Sequence, residues 1–278
     1  MEQAVEEHRS VGLGEIDWVR VGAAMREVRG NLSDDAMEEV SGFVVSVAET
    51  YLEKDLDGAE ELRVEYMLSR DVNGWHEHGM VDLAIRRGER WHLYDWKRFG
   101  SKSFEPRDGQ RLELDPAWVF YSTYWPGAVS WPGIISGFTY RNVAVQMGKI
   151  IEVSLKLSPE VVTRFKEKLQ WMKRNVNWIL PYPVWPQNGD ACFAFGRECE
   201  HVATCGTETF PIIKRISPSV LKTFMLCPQR ARYALDARRE IGDTGEPAAI
   251  ANDAAQWGTV FHAGIGDVYR QAWERRTK

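Results

Sequence analysis

The stretch "GMVDLAIRRGERWHLYDWK", residues 79 to 97, constrains this chain more than any other. It reads as two apolar strands joined at "RRGE", because β-branched and aromatic residues flank a glycine-containing turn. Asp82 lies on the first strand, and Asp95 and Lys97 lie on the second. Residues two apart on a strand share a face, so Asp95 and Lys97 project together, and Tyr94 and Trp96 are left to pack against helices on the other side. The tight turn sets Asp82 beside Asp95. Two carboxylates at the end of a buried hairpin repel each other unless a cation lies between them. Mg²⁺ suits that position, since it prefers oxygen ligands and keeps waters. A metal there can bind a phosphate oxygen and acidify a water, with Lys97 orienting that water or balancing charge.

The flanking sequence supplies layers to cover the hairpin. "NLSDDAMEEVSGFVVSVAETYLEK" predicts a helix with Ser33 as N-cap, acidic residues at its positive end, and Met37, Val40, Val44, Val47 and Tyr51 on its buried face. "LRVEYMLS" predicts a strand, followed by a turn in "RDVNGW", and "GIISGFTYRNVAVQ" predicts one or two more strands. "SPEVVTRFKEKLQWMKRNV" predicts a helix capped by Ser158, with Pro159 at its first position and a stripe of Val161, Phe165, Leu169, Met172 and Val176. A short helix in "SPSVLKTFMLCPQRARYAL" ends at Pro228, and "AQWGTVFHAGIGDVYRQAWERR" closes the chain as a helix with Phe261, Ile265, Val268 and Trp273 near one face. This order predicts an α/β (α+β) domain around a small mixed sheet. Residues 1–180 would form the core with the hairpin, 181–235 a cysteine-bearing loop subdomain, and 236–278 the final helix.

With 278 residues, 44% hydrophobic and 27% charged, the chain can bury a real core. It has no apolar run of the roughly 18–20 residues that a membrane span needs, and its first residues, "MEQAVEEHRS", are acidic and polar. We therefore expect a cytoplasmic protein with no membrane partner and with reduced thiols, whose four cysteines are metal ligands or core residues rather than disulfides. A net charge of −5 excludes a general attraction to nucleic acid or anionic lipid. Contact with DNA would depend on local basic runs such as "YDWKRFGSK" and "CPQRARYALDARR", which make Arg98, Lys102, Arg230 and Arg232 the candidate DNA-binding residues. The 12 tryptophans are mostly core, although aromatics beside basic residues also stack single strands.

Gly79-x-x-Asp82 followed by Asp95-Trp96-Lys97 resembles the core of PD-(D/E)XK nucleases, specifically the RecB-like branch. Glu65 in "LRVEYML" matches the acidic residue that often precedes this hairpin, and Gly258-Thr259-Val260-Phe261-His262 matches a "G-T-x-x-H" helix pattern. The resemblance implies a restriction-endonuclease-like fold. It also implies that Asp82, Asp95 and His262 bind Mg²⁺ or Mn²⁺, that Lys97 is catalytic, and that Glu65 has a supporting role. Relatives often carry "D-P-Q-L-x-x-Y" after the lysine; here Asp115, Pro116 and Tyr121 match, but Ala117 stands where the glutamine would be and cannot hydrogen-bond DNA or position a water.

Six residues separate Cys192 from Cys199 and five separate Cys199 from Cys205, which is too wide for a common zinc knuckle. Three cysteines in a Pro/Gly-rich loop point to a metal or cluster site, with iron–sulfur ahead of zinc. A subset of RecB-like nucleases, including AddB-type helicase–nucleases and those of CRISPR adaptation, carries a [4Fe–4S] cluster with one ligand in an "S-x-S-x-L-x-x-F-x-x-C-P" segment. Ser217, Ser219, Leu221, Phe224, Cys227 and Pro228 match it at every named position. The resemblance thus makes Cys192, Cys199, Cys205 and Cys227 the ligands of one cluster, with zinc as runner-up.

In those relatives the Cys-Pro segment and the histidine helix come first; here they follow the hairpin. That order fits a circular permutant, a domain-swapped oligomer or a slice of a tandem protein. The activity implied is a metal-dependent DNA nuclease, in first place an exonuclease acting on ends or single strands in phage or bacterial recombination, repair or processing, with a helicase or recombinase as a candidate partner. The alternatives are a DNA-binding or scaffolding protein of the same fold with weakened chemistry, and a zinc-bound interaction module. The final helix, lacking a covalent tie to the core, is expected to fray first.

Overall fold

A computed structural model describes residues 13–99, 112, 115–128, 134–156, 158–179, 205, 215–228 and 253–278. Helix α1 (Trp18–Glu27) is capped by Asp17, and helix α2 (Asp34–Leu56) by Ser33, whose hydroxyl accepts from the Ala36 amide. Strands β1 (Glu61–Val72) and β2 (Trp75–Arg87) form a hairpin on Asn73–Gly74. Both turn residues have positive φ, +52° and +75°, a conformation that Asn and Gly tolerate and that matches strand twist. Strand β3 (Arg90–Phe99) returns antiparallel to β2. Helix α3 (Pro116–Ala128) then carries the chain to β4 (Ile134–Ala144), which pairs parallel to β3; a parallel pair needs such a crossover. Strand β5 (Lys149–Leu155) turns back on β4 through Gly148, at φ +58°.

Helix α4 (Pro159–Ile179) starts on Ser158, whose hydroxyl accepts from Val161 N–H. The two-residue strand β6 (Arg215–Ile216) pairs parallel to the start of β2, at His76 and Glu77. Helix α5 (Pro218–Leu226) runs between a Ser217 cap and Cys227, and helix α6 (Asp253–Arg276) is the last element. The sheet order is β1-β2-β3-β4-β5, with β6 added beside β2. This mixed α+β architecture, a mixed sheet of five successive strands plus the short β6 between helices, is consistent with a restriction-endonuclease-like fold. Among the described residues no helix is long and apolar enough to cross a membrane.

Each face of the sheet has its own core. Trp91 and Leu93 of β3 pack with α3, α4 and α5, together with Phe120, Phe165, Leu169, Met172 and Phe224. Tyr94 and Trp96 face the other way, into α1, α2 and α6. The expected division of the second hairpin strand therefore holds. The expected stripe on α4 also holds, with Phe165, Leu169, Met172 and Val176 buried.

The final helix differs from expectation. Val260, Phe261, Ile265, Val268, Tyr269 and Ala272 of α6 are each 2% exposed or less. Burial of that many large side chains, not a covalent tie, fixes the helix, so it is a central element and not a fraying one. Helices α1 and α3 and strand β5 were not anticipated from the sequence.

Candidate active site

The two hairpin strands stop pairing where the acidic residues begin. The β2–β3 ladder runs from Arg87↔Arg90 to Leu83↔Tyr94, and Asp82 and Asp95 are the next positions on either side. Beyond them β2 stays with β1 and β6, and β3 stays with β4, so the sheet forks. A parting ladder leaves backbone groups without partners. Here the Asp82 carboxylate compensates: its Oδ2 accepts from the Trp96 N–H at 2.7 Å. The same carboxylate therefore serves as a cap for the fork, which fixes its position.

The neighbouring strand is distorted at the same level. Glu65 and Asp82 are both skipped by the β1–β2 register, between Val64↔Leu83 and Tyr66↔Val81, and Glu65 has φ +49°, rare for a side chain of its size. Before it, Leu62 and Val64 pack into the α1/α2/α6 core; after it, Tyr66 and Leu68 pack into the α3/α4/α5 core. Strict alternation would put all four on one face. On β2 the change falls at Asp82, between Val81 and Leu83. Left-handed backbone at Glu65 thus accompanies a switch of faces, and strain of this kind gathers at functional sites.

Four of the anticipated residues meet at this fork. Asp82 and Asp95 are 8% and 2% exposed. Lys97 Nζ lies 2.6 Å from Asp95 Oδ2, and His262 Nδ1 lies 3.5 Å from Asp82 Oδ1 within the same chain. Burial pushes the Asp95 carboxyl up to about 6; the Lys97 charge opposes the rise and the Asp82 charge adds to it. Burial pulls the Lys97 ammonium down, but the charges of Asp95 and Asp82 outweigh it and raise its pKa. Lys97 therefore stays cationic, and Asp95 is the group poised near neutrality.

Glu65 lines a small cavity with Asp82 and His262, and its carboxylate accepts from Arg270 of α6 at 2.6 Å. Tyr121 of α3 stands on the Lys97 side, where burial and the Asp95 charge raise its phenol, so it remains a hydrogen-bond donor. The Tyr121 ring explains Gly79: a Cβ there would come within 2.7 Å of Tyr121 Cε1. Ala117 borders the same space, and its amide donates to Asp115 Oδ1, which starts α3. Sequence reasoning missed Tyr140 of β4, whose ring lies 5.9 Å below the Lys97 ammonium, and Lys222 of α5, which pairs with Asp115 at 2.9 Å. Only their three-dimensional placement reveals them.

The other anticipated groups lie elsewhere. Arg98 is exposed and stacks over Trp257 of α6 at 5.2 Å, one residue along from Lys97 and therefore on the opposite strand face. Cys227 is buried at the end of α5, and Cys205 is half-buried. Cys192, Cys199, Lys102, Arg230 and Arg232 lie outside the described residues.

The donor set fits a hard divalent cation. Mg²⁺ takes one or two carboxylates and completes its shell with water and phosphate oxygen, and Asp82 and Asp95 offer two carboxylates whose mutual repulsion a cation would relieve. Among the described residues, no three His, Cys, Asp or Glu side chains converge tightly enough to hold an ion as they stand. The Lys97 ammonium is the cation nearest to Asp95 in this arrangement.

Fold and site together define an α+β protein with an Asp–Asp–Lys constellation at a sheet fork. No family model and no curated protein sequence matches the chain. Among solved structures, the chain is similar to a "putative exonuclease" from Eubacterium rectale, at 10% identity over 58% of this chain and 65% of that one, with a TM-score of 0.37. It is also similar to SSO0001, at 14% identity over 60% of this chain and 92% of that one, with a TM-score of 0.26. The first likeness spans less than two-thirds of the other protein, and neither is close enough to assign an activity.

Proposed function

We propose that this protein is a metal-dependent nuclease that hydrolyses phosphodiester bonds in DNA, acting as an exonuclease in recombination, repair or processing. One observation carries the reading: Asp82, Asp95, Lys97 and His262, drawn from β2, β3 and α6, meet where the sheet forks. A structural ion pair does not need two buried carboxylates per lysine, whereas a divalent cation can use both.

In this reading Asp82 and Asp95, with His262 3.5 Å from Asp82, would hold Mg²⁺ or Mn²⁺, which would supply Lewis acidity at the phosphoryl oxygen. Asp82 is held in place by the Trp96 amide. Lys97, 2.6 Å from Asp95, would offer its ammonium to the charge that develops on the phosphate. Tyr121, kept protonated, donates a hydrogen bond on the same side. Glu65, restrained by Arg270, supports the site from β1.

Cys192, Cys199, Cys205 and Cys227 are proposed to hold a [4Fe–4S] cluster with a structural role, and zinc is the alternative occupant. Burial of Cys227 at the end of α5 suits a ligand shielded from water. Protein purified without oxygen should be brown and contain iron and sulfide; a colourless protein with one zinc would overturn the cluster. DNA is the proposed partner, through Arg98, Lys102, Arg230 and Arg232, with a helicase or recombinase as a further partner.

Cleavage of DNA with Mn²⁺ should be lost in Lys97→Ala, and equal cleavage by wild type and variant would refute the site. One feature favours a second reading, a DNA-binding protein with weakened chemistry: Ala117 provides no side-chain hydrogen bond in the space beside Lys97. That reading predicts binding without cleavage by both proteins.

A further inference from the structure

A cavity of about 560 Å³ opens beside Lys97, between the β1–β2 hairpin, α3 and the start of α5. That volume is in the range of sites for small ligands. Its lining falls into two parts. One is polar and includes Lys97, Lys222, Ser217, Ser219 and Tyr121, with the Asp115 carboxylate beside them. The other is apolar and comes from Met67 and Met80, directly paired across the β1–β2 ladder.

These methionines are among the few large apolar side chains that the described residues leave in water, 56% and 42% exposed. Nothing in the fold needs them there, since both cores close without them. A thioether is flexible and polarisable and makes favourable contacts with aromatic rings. A base in a duplex has its faces covered by its neighbours and offers none to a methionine; an unstacked base offers one. The two lysines in the same cavity suit the phosphate attached to such a base, and Asp115 holds Lys222 at the rim from 2.9 Å.

We infer that this cavity is a nucleotide subsite for single-stranded DNA, with Met67 and Met80 gripping one unstacked base and Lys222 and Ser219 holding its phosphate, next to the bond presented to Lys97. The inference rests on the nuclease reading for what the strand is brought to, but the grip itself needs no metal and no cleavage. It also explains why the exposed methionines sit on this hairpin: Met80 is two residues from Asp82, so a base held there is roughly 7 Å along the strand from the fork.

The test uses the full chain in EDTA, where binding is separated from hydrolysis. A fluorescently labelled 12-nucleotide oligothymidylate and a duplex of the same length serve as probes, read by anisotropy. The double variant Met67→Ala/Met80→Ala should bind the single strand about tenfold more weakly, the scale of losing one stacked base, with duplex binding unmoved. Met67→Gln and Met80→Gln, which preserve length at exposed positions, should each give a smaller loss in the same direction. Lys222→Glu should weaken single-strand binding and flatten its dependence on salt. Single-strand affinity unchanged in the double variant would overturn the subsite, as would an equal loss for the duplex. If Mn²⁺-dependent cleavage is present but the methionines do not affect single-strand affinity, the nuclease reading survives and the subsite falls. If the methionines govern binding and no cleavage is found, the subsite stands and the nuclease reading falls.

Discussion

Two of the clusters of buried charge on this sheet are built on opposite plans. On the α1/α2/α6 side, Arg141 of β4 is 1% exposed and donates to both oxygens of Asp55 at 2.5 and 2.7 Å. Tyr269 also donates to Asp55, Glu152 accepts from Arg141 Nε at 2.9 Å, and the guanidinium lies 4.0 and 4.2 Å from the ring centroids of Tyr51 and Tyr94. The one fully buried carboxylate there, Asp55, is matched by the buried guanidinium, and the second carboxylate, Glu152, is 31% exposed to water. At the fork, two buried aspartates share one lysine and a histidine at 3.5 Å. The first cluster is complete without anything from outside; the second has negative charge to spare and opens on a cavity. Matched charge ties α2, β4 and α6 together, whereas unmatched charge marks a place where something else binds.

The comparison is broken most directly on its matched side. Asp55→Ala would leave Arg141 charged and buried without its main acceptor, a change that costs about 3–5 kcal/mol. For a chain of this length that corresponds to a fall of roughly 10 °C in melting temperature by calorimetry. A loss below about 3 °C would mean that the cluster does not hold the helices as argued.

Lys97→Ala should do the reverse. The lysine side chain is 42% exposed, so its loss should shift melting by only a few degrees. Mn²⁺-dependent cleavage should fall at least ~100-fold. If the variant melts as Asp55→Ala does, Lys97 belongs with the structural ion pairs.

Gly79→Ala probes the wall between fork and cavity. Its new methyl would lie 2.7 Å from Tyr121 Cε1, and the ring must shift at a cost of about 1–3 kcal/mol. Tyr121→Leu in the same chain should recover most of that loss; no recovery would place the conflict elsewhere.

The hairpin was legible because its signals are local: alternation, a tight turn and two carboxylates near a lysine. The caps at Ser33 and Ser158 and the stripe on α4 were legible for the same reason. The residues that complete the picture were not. Asp55 and Arg141 are 86 positions apart, and neither has a neighbour in sequence that announces the other. The left-handed backbone at Glu65 has no glycine or asparagine to signal it, because it is imposed by strands that change faces. His262 was readable only through its resemblance to a motif; its 3.5 Å approach to Asp82 depends on α6 packing across the sheet. Helix α3 escaped because "DPAWVFYSTYW" is apolar without periodicity, and only its Asp115 cap marks the start.

The smallest expected effect separates the two clusters by pH. Burial raises the Asp95 carboxyl to about 6, with Asp82 adding to the rise against Lys97. In the unfolded chain an aspartate titrates near 3.9, so between about pH 4 and 6 the native state holds a proton that the unfolded state has lost. This group's contribution to stability is therefore complete below about pH 4 and lost as pH rises through 6. A divalent cation competes with that proton and needs the ionised carboxylate. Mn²⁺ should then raise the melting temperature by a few degrees near pH 7.5 and leave it unchanged near pH 5, and Asp95→Asn should remove the gain at pH 7.5. The Asp55–Arg141 cluster already carries its own countercharge, so Asp55→Asn should lower stability at both pH values and keep the Mn²⁺ gain at the higher one. A metal-induced shift as large at pH 5 as at 7.5 would place the cation away from Asp95 and remove the distinction between the two clusters.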